Sequence, residues 1–332
     1  YKLIKHIKEK YTKLKIIVAG PISTSNQEWD SKIIHAILKG EYEKNVMKVL
    51  NGQEGLIEHD LLTLEEMNKA PFPYYDKNIY DKYFDGNPIP MNKLTPQAHI
   101  LTSRGCPFKC IFCVWPAAMT GNDPDGEGKR SVRQYSSDYI EAFLDNLTNE
   151  YKFEAIYFDD DTFNIGNKHT ERISQVAGKY NIPWFAMCRA DTCRQESWKI
   201  MKDNGCKGVK IGIESGSQYV VDKIVNKHLD LKYTQNLVDH LRNIGMTVHG
   251  TFTYGLPGET KEQMLETKKF IANTNFNTVQ ESGTAEIEGT PLHTLNKKEL
   301  KNYPGASLNE DYDRQKDGGK KWQSLIQNLQ DN

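Results

Sequence analysis

The chain has 332 residues, 38% hydrophobic and 26% charged, with a formal net charge of -1. That is room for one large domain or two modest ones, at roughly 100–200 residues each, and the near-neutral balance gives no chain-wide basic field of the kind nucleic acid selects. No apolar run approaches the roughly 20 residues of a membrane helix, and the opening YKLIKHIKEKY lacks the apolar core and cleavage site of a signal peptide. A tight cysteine grouping in a chain this large fits a reducing, cytoplasmic setting better than a secreted disulfide framework, and a chain opening on Tyr1 and not methionine is expected to have further sequence upstream.

Residues 1–67 read as a small α/β region. Ile4, Ile7 and Tyr11 share one helical face. The run Lys15–Ala19 is a short strand ending at Gly20-Pro21, a turn signal. Ile33–Leu38 and Val46–Leu50 read as helices and Gly55–His59 as a strand, too little for a complete doubly wound domain. Residues 68–97 carry Pro71, Pro73, Pro88, Pro90 and Pro96 among Tyr74, Tyr75, Tyr80 and Tyr83. Proline at that density breaks regular elements, so this segment is expected to be a linker wrapping an adjoining surface.

From residue 98 to 292 strands and helices alternate. The strand runs are 98–102, 154–158, 183–187, 208–213, 247–253 and 277–281. Between them, Ile140, Phe143, Leu144, Leu147 and Tyr151 follow helical spacing behind a cap at Ser137 or Asp138. Ile173, Val176, Ala177 and Tyr180 repeat the pattern. The helix from Glu196 stops at Gly205, and one through Leu237, Val238, Leu241 and Ile244 stops at Gly245. Six β-α units predict a parallel sheet with right-handed crossovers, curled into a partial (β/α)6 barrel. Chemistry then belongs in the loops after the strand ends: Cys106–Cys113, Asp159–Asp161, Arg189–Asp191, Glu214–Gly216, Gly255–Glu259 and Glu288–Pro291. The Gly255–Gly258 turn is expected to shape a pocket, and Asp159–Asp161 has an alternative reading as an acidic helix cap. Residues 293–332 form a polar tail.

All six cysteines lie between Cys106 and Cys206. Three of them, Cys106, Cys110 and Cys113, are spaced CxxxCxxC behind Ser103-Arg104-Gly105. Thiolates ligate iron in clusters, and a cubane takes four ligands, so three on one loop leave one iron open. Zinc ribbons use two CxxC pairs, and no second pair is present. Cys188, Cys193 and Cys206 read as core or loop thiols.

With the aromatic Phe112 in the triplet, CxxxCxΦC after the first barrel strand resembles the signature of the radical S-adenosylmethionine (SAM) superfamily. The runs FDDDTF (158–163), CRADTC (188–193), GIESGS (212–217), GLPGET (255–260) and EGTPL (288–292) resemble its branch of cobalamin-dependent enzymes and methylthiotransferases. The resemblance implies a [4Fe–4S] cluster on Cys106, Cys110 and Cys113 and SAM on its open iron, cleaved reductively to a 5′-deoxyadenosyl radical. It places Phe112 by the adenine, Asp160 and Asp161 near the SAM amine, Arg189 near its carboxylate, and Glu214 and Ser215 near the ribose or methionine part. Residues 1–67 resemble the trailing part of a Rossmann-like cobalamin-binding domain, with Gly20 on the loop beside the nucleotide tail. Methylthiotransferases of this branch carry further N-terminal cysteines, and residues 1–105 hold none.

The resemblance thus implies methylation of an unactivated carbon or phosphorus centre, with cobalamin as a third cofactor. The alternatives are a non-methylating radical SAM oxidoreductase or rearrangement enzyme and a non-catalytic Fe–S redox or sensing protein. The implied partners are a small-molecule, natural-product, lipid or glycan substrate and a flavodoxin or ferredoxin as electron donor. Trp115–Gly121, Thr284–Glu288 and the tail are expected to line or cover the substrate.

Overall fold

The structure is a computed structural model and describes residues 2–20, 23, 30–83, 94, 96–115, 130–284, 287 and 290–294. Of these, residues within 1–67, 105–131 and 286–296 form one compact unit, and those within 68–104 and 132–285 form another. Most of the segments expected to cover the substrate lie outside the described residues: 116–121, residues 285, 286 and 288 of the Thr284–Glu288 stretch, and 295–332 of the tail.

The larger unit is built on six parallel strands: β4 (Gln97–Ile100), β5 (Ala155–Phe158), β6 (Trp184–Cys188), β7 (Cys206–Glu214), β8 (Thr247–Tyr254) and β9 (Thr278–Gly283). They neighbour one another in chain order, β4-β5-β6-β7-β8-β9, so β4 and β9 are the open edges of a partial barrel. The crossovers are α3 (Ser137–Glu150), α4 (Asn167–Gly178), α5 (Gln195–Asp203), α6 (Leu231–Asn243) and α7 (Lys261–Ala272). All four residues of β5 are buried, as both faces of a parallel strand require. The apolar stripe Ile140, Phe143, Leu144 and Leu147 of α3 is buried too.

Helix starts follow local chemistry. Ser136 caps α3 by accepting from the Tyr139 N–H at 3.2 Å, one residue before the expected cap, because Ser137 is already helical. Asp230 caps α6 in the same way. Thr260 and Gln263 form a reciprocal capping box on α7, an arrangement whose cap side chain contributes about 1 kcal/mol.

Described residues of the proline- and tyrosine-rich segment pack within the larger unit. Phe72 stacks on Phe143 of α3 at 5.0 Å between centroids. Tyr75 is buried edge-on against Tyr83, Tyr151 and Phe153, and its hydroxyl donates to the His99 carbonyl on β4. Ring edges meeting ring faces are the preferred aromatic geometry.

The smaller unit contains α1 (Lys2–Lys10), β1 (Ile17–Val18), β2 (Ala36–Leu38), α2 (Glu43–Leu50) and β3 (Gly55–Ile57). The strands are parallel in the order β1-β2-β3. One expectation is corrected here: the run Ile33–Leu38 ends in the central strand β2 and is no helix. A short apolar run looks the same either way. The outcome is decided by position, because β2 is flanked on both sides and all three of its residues are buried. Among the described residues no helix is long and apolar enough to cross a membrane.

Candidate active site

Parallel strands in chain order bring every strand carboxyl end to one edge of the larger sheet. Asp160 follows β5, Arg189 follows β6, Glu214 ends β7, Gly255–Glu259 follows β8, and Thr284 follows β9. None of Asp159, Asp160 and Asp161 caps α4, which starts at Asn167 behind Gly166, so the acidic-cap alternative does not apply.

Asp160 is 2% exposed. Its Oδ1 accepts from the Thr102 N–H (3.0 Å), the Thr102 hydroxyl (2.9 Å) and the Ser103 hydroxyl (2.6 Å). Its Oδ2 is buried with no hydrogen-bond partner among the described residues. Burial pushes the carboxyl up to about 7, although the Ser103 and Thr102 donors pull the other way. The Thr102 hydroxyl also meets His169 Nε2 at 3.1 Å, and burial holds that imidazole down at about 4. Asp160 therefore ties the end of β5 to Thr102 and Ser103, just ahead of the cysteine loop in sequence, with one oxygen left over. Asp161 is half-buried, and its carbonyl accepts from the Thr162 hydroxyl at 2.6 Å.

Arg189 and Glu214 are brought together through a residue not singled out by sequence. Arg189 forks onto Asp191, with Nε at 2.5 Å and Nη2 at 3.0 Å, and Nη2 also donates to the Lys227 carbonyl. The Lys227 ammonium lies 2.9 Å from Glu214 Oε1. Glu214 Oε2 accepts from the Thr253 hydroxyl at 3.2 Å. Glu214 has a φ of 76°, at the bulge where the β7–β8 register shifts. Gly212 clears the space: a Cβ there would stand 2.6 Å from Glu214 Oε1 and 2.9 Å from Lys227 Nζ. Ser215 turns away from this group. It is fully buried, with its hydroxyl 3.0 Å from Thr267 Oγ1 on α7. In the loop after β8, Glu259 Oε2 accepts the Gly255 and Leu256 N–H groups, at 2.6 and 3.2 Å, and so closes the glycine-proline turn.

In the smaller unit, Cys106, Cys110 and Cys113 are in no disulfide and lie half-buried on an irregular loop, with Phe112 among them and likewise half-buried. The Cys113 N–H donates to the Cys110 carbonyl at 3.2 Å, and the Leu292 N–H to the Ile111 carbonyl at 2.8 Å. Arg130 Nη1 holds the Phe108 carbonyl at 2.6 Å. Among the described residues no group of three or more His, Cys, Asp or Glu is arranged to hold a single metal ion. A cubane asks for something else, thiolates spread over separate iron corners, and three reachable thiols on one anchored loop fit that need. Cys188, Cys193 and Cys206 do not: all are buried, and burial raises all three thiols, Cys193 to about 11. Neutral buried thiols are poor ligands. Gly20 follows β1 with a φ of 86°, and among the described residues nothing lies within 4 Å of where a Cβ would sit. That backbone conformation is one glycine adopts freely.

The Radical SAM superfamily model matches residues 100–271, more than half of the chain. The chain belongs to the radical SAM superfamily. Membership of that superfamily implies a [4Fe–4S] cluster and SAM. An uncharacterized methyltransferase of Pyrococcus horikoshii is 29% identical over 79% of this chain and 54% of its own length. Cytidylyl-2-hydroxyethylphosphonate methyltransferase of Streptomyces wedmorensis is 26% identical over 68% of this chain and 43% of its own. The chain thus spans about half the length of these curated relatives. The fold is also that of the radical SAM methyltransferase TsrM from Kitasatospora setae, solved with cobalamin and a [4Fe–4S] cluster. The match has a TM-score of 0.53 at 18% identity, covering 61% of this chain and 37% of that one.

Proposed function

We propose that this radical SAM chain is part of a cobalamin-dependent methyltransferase acting on an unactivated carbon or phosphorus centre. The observation that carries the reading is the three-thiol loop within a chain that matches, over 79% of its length, a protein named as a methyltransferase. The second relative's name, a phosphonate methyltransferase, supports a substrate of that class. When bound, the cluster would supply the electron that splits SAM into methionine and a 5′-deoxyadenosyl radical, and cobalamin would carry the methyl group.

The chain's own residues have distinct tasks in this reading. Cys106, Cys110 and Cys113 hold the cluster, and Phe112 lies against the adenine. Asp160 and Asp161 face the SAM amine, Asp160 through Oδ2, because its Oδ1 is already engaged by Thr102 and Ser103. Arg189 faces the SAM carboxylate. Glu214 receives the ribose or methionine part, and Ser215 contributes through its backbone, since its hydroxyl faces Thr267. Gly20 lets the nucleotide tail of cobalamin approach the end of β1. Electrons come from a flavodoxin- or ferredoxin-type donor.

The test uses the full-length gene product, reconstituted anaerobically with iron, sulfide and cobalamin and supplied with reductant, methyl-deuterated SAM and a panel of phosphonate and natural-product acceptors. The expected result is retained cobalamin, with 5′-deoxyadenosine, S-adenosylhomocysteine and a deuteromethylated product formed together. Deoxyadenosine alone, with no cobalamin retained and no methylated product, would move the assignment to a non-methylating radical SAM oxidoreductase or rearrangement enzyme.

A further inference from the structure

We infer that Lys227 is a positioning residue that holds Glu214 and Arg189 in the arrangement that receives SAM. The inference rests on the reading above, in which those two side chains contact SAM, and adds a residue the reading does not contain.

Three observations carry it. Lys227 meets both groups at once: its ammonium lies 2.9 Å from Glu214 Oε1, and its carbonyl accepts from Arg189 Nη2. The Lys227 and Glu214 side chains are 9% and 10% exposed, so solvent does little to screen the pair. A buried carboxylate with its cation removed is costly and reorients or takes up a proton. Glu214 could then no longer offer SAM a fixed anionic acceptor.

The second observation is the space kept for the pair. Gly212 lies two residues before Glu214 on β7, and a side chain there would displace the charged ends of both partners. A Cβ there would press on Glu214 Oε1 and Lys227 Nζ together. A glycine inside a strand weakens it and marks a close approach. Here the group approaching is this ion pair.

The third is the backbone that delivers Lys227. It follows a single π-helical turn, Val220–Ile224. Its N–H donates to the Val221 carbonyl at 2.9 Å. Its neighbours Asn226 and His228 both have positive φ, 57° and 53°. Asn and His are among the non-glycine residues that take this left-handed conformation most readily. Asn226 Oδ1 meets His228 Nε2 at 2.7 Å across Lys227, and Gln218 Nε2 holds the Leu229 carbonyl at 2.9 Å. These contacts turn the Lys227 side chain to β7 while its carbonyl faces Arg189.

The experiment measures SAM dissociation constants by anaerobic equilibrium dialysis on the reconstituted chain, for wild type, Lys227→Met, Lys227→Arg, Glu214→Gln and the Lys227→Met/Glu214→Gln double variant. Iron content and thermal melting are recorded beside each. Glu214→Gln is expected to weaken SAM about tenfold or more, which fits the loss of a charge-assisted hydrogen bond. Lys227→Met should match it with iron content unchanged. Lys227→Arg, which keeps the charge, should stay within about threefold of wild type. The double variant should be no weaker than the worse single one, since Lys227 acts through Glu214. Wild-type affinity in Lys227→Met beside a weakened Glu214→Gln overturns the inference and leaves the reading of Glu214 standing. Losses that multiply in the double variant overturn it too. Wild-type affinity in Glu214→Gln removes the reading and the inference with it. If Lys227→Met loses its iron, the same comparison is made with Lys227→Gln.

Discussion

The chain carries two sets of three cysteines, and their surroundings differ in every respect that matters to iron. Cys106, Cys110 and Cys113 are half-buried on an irregular loop anchored through the Phe108 and Ile111 carbonyls. Cys188 and Cys206 lie in strands and Cys193 in a loop, all buried, with burial raising their thiols. Thiolate is the ligating form, so count alone says nothing about which triplet binds metal. Access and desolvation decide it.

The largest effect expected from this contrast is on cluster content. Reconstituted wild type should hold about four irons per chain. Cys110→Ala should fall to background, while Cys206→Ala should keep its full complement. In the iron-free protein, iodoacetamide should modify three thiols readily and the other three only after denaturation. Rapid modification of all six, or iron lost equally from both variants, would erase the distinction between the two sets.

Buried groups near β5 sharpen the comparison, because they too are held neutral. Asp160 is raised, so its contribution to stability is present below the ordinary carboxylate range and is lost as pH rises toward about 7. His169 is depressed, so its contribution is present above its ordinary value of 6.5 and is lost as pH falls toward about 4. In wild type these slopes oppose each other over nearly the same window. Asp160→Asn should leave a protein whose stability climbs with pH from about 4 to 6.5, and His169→Gln one whose stability falls from about 4 to 7. Each change should reach a few kcal/mol at most, on the order of one pKa unit per 1.4 kcal/mol. Urea titrations at both ends of the window read it, and slopes of the same sign in the two variants would contradict the assignment.

A smaller effect separates the strand ends from the cysteine loop. Arg189→Lys keeps the charge and loses the planar fork that grips Asp191. SAM affinity should fall about tenfold with iron content unchanged, as read by equilibrium dialysis and iron analysis. Loss of iron in step with SAM would mean that Arg189 supports the loop and not the ligand. Smaller still, Thr260→Ala should remove the α7 capping box, lowering stability by about 1 kcal/mol and leaving SAM binding alone.

Much of this was legible in the sequence because the larger unit obeys local rules. All six expected strands are present in a parallel sheet, since apolar runs ending at charged loops have one good solution there. The cysteine triplet stands out by its spacing, and its half-burial on the loop is what the structure adds. Ile33–Leu38 was misread because a six-residue apolar run has no polar face to reveal its period, and only its central place between β1 and β3 makes it a strand. Lys227 was missed for another reason. A lone lysine in NKHLD looks like surface charge, and its burial depends on a π-helical turn and two positive φ angles that no pattern announces. Gly212 inside a strand was the one available hint. The hydroxyls of Thr102 and Ser103 were likewise invisible as Asp160 partners, because contacts 57 and 58 residues apart are set by sheet order.

The most direct test of the account is reductive cleavage of SAM by the reconstituted chain, followed by EPR and product analysis. The account predicts a reduced [4Fe–4S] signal that changes when SAM is added, with 5′-deoxyadenosine accumulating under dithionite and neither seen in Cys110→Ala. A wild-type protein with a full cluster whose signal ignores SAM, and which forms no deoxyadenosine, would contradict it.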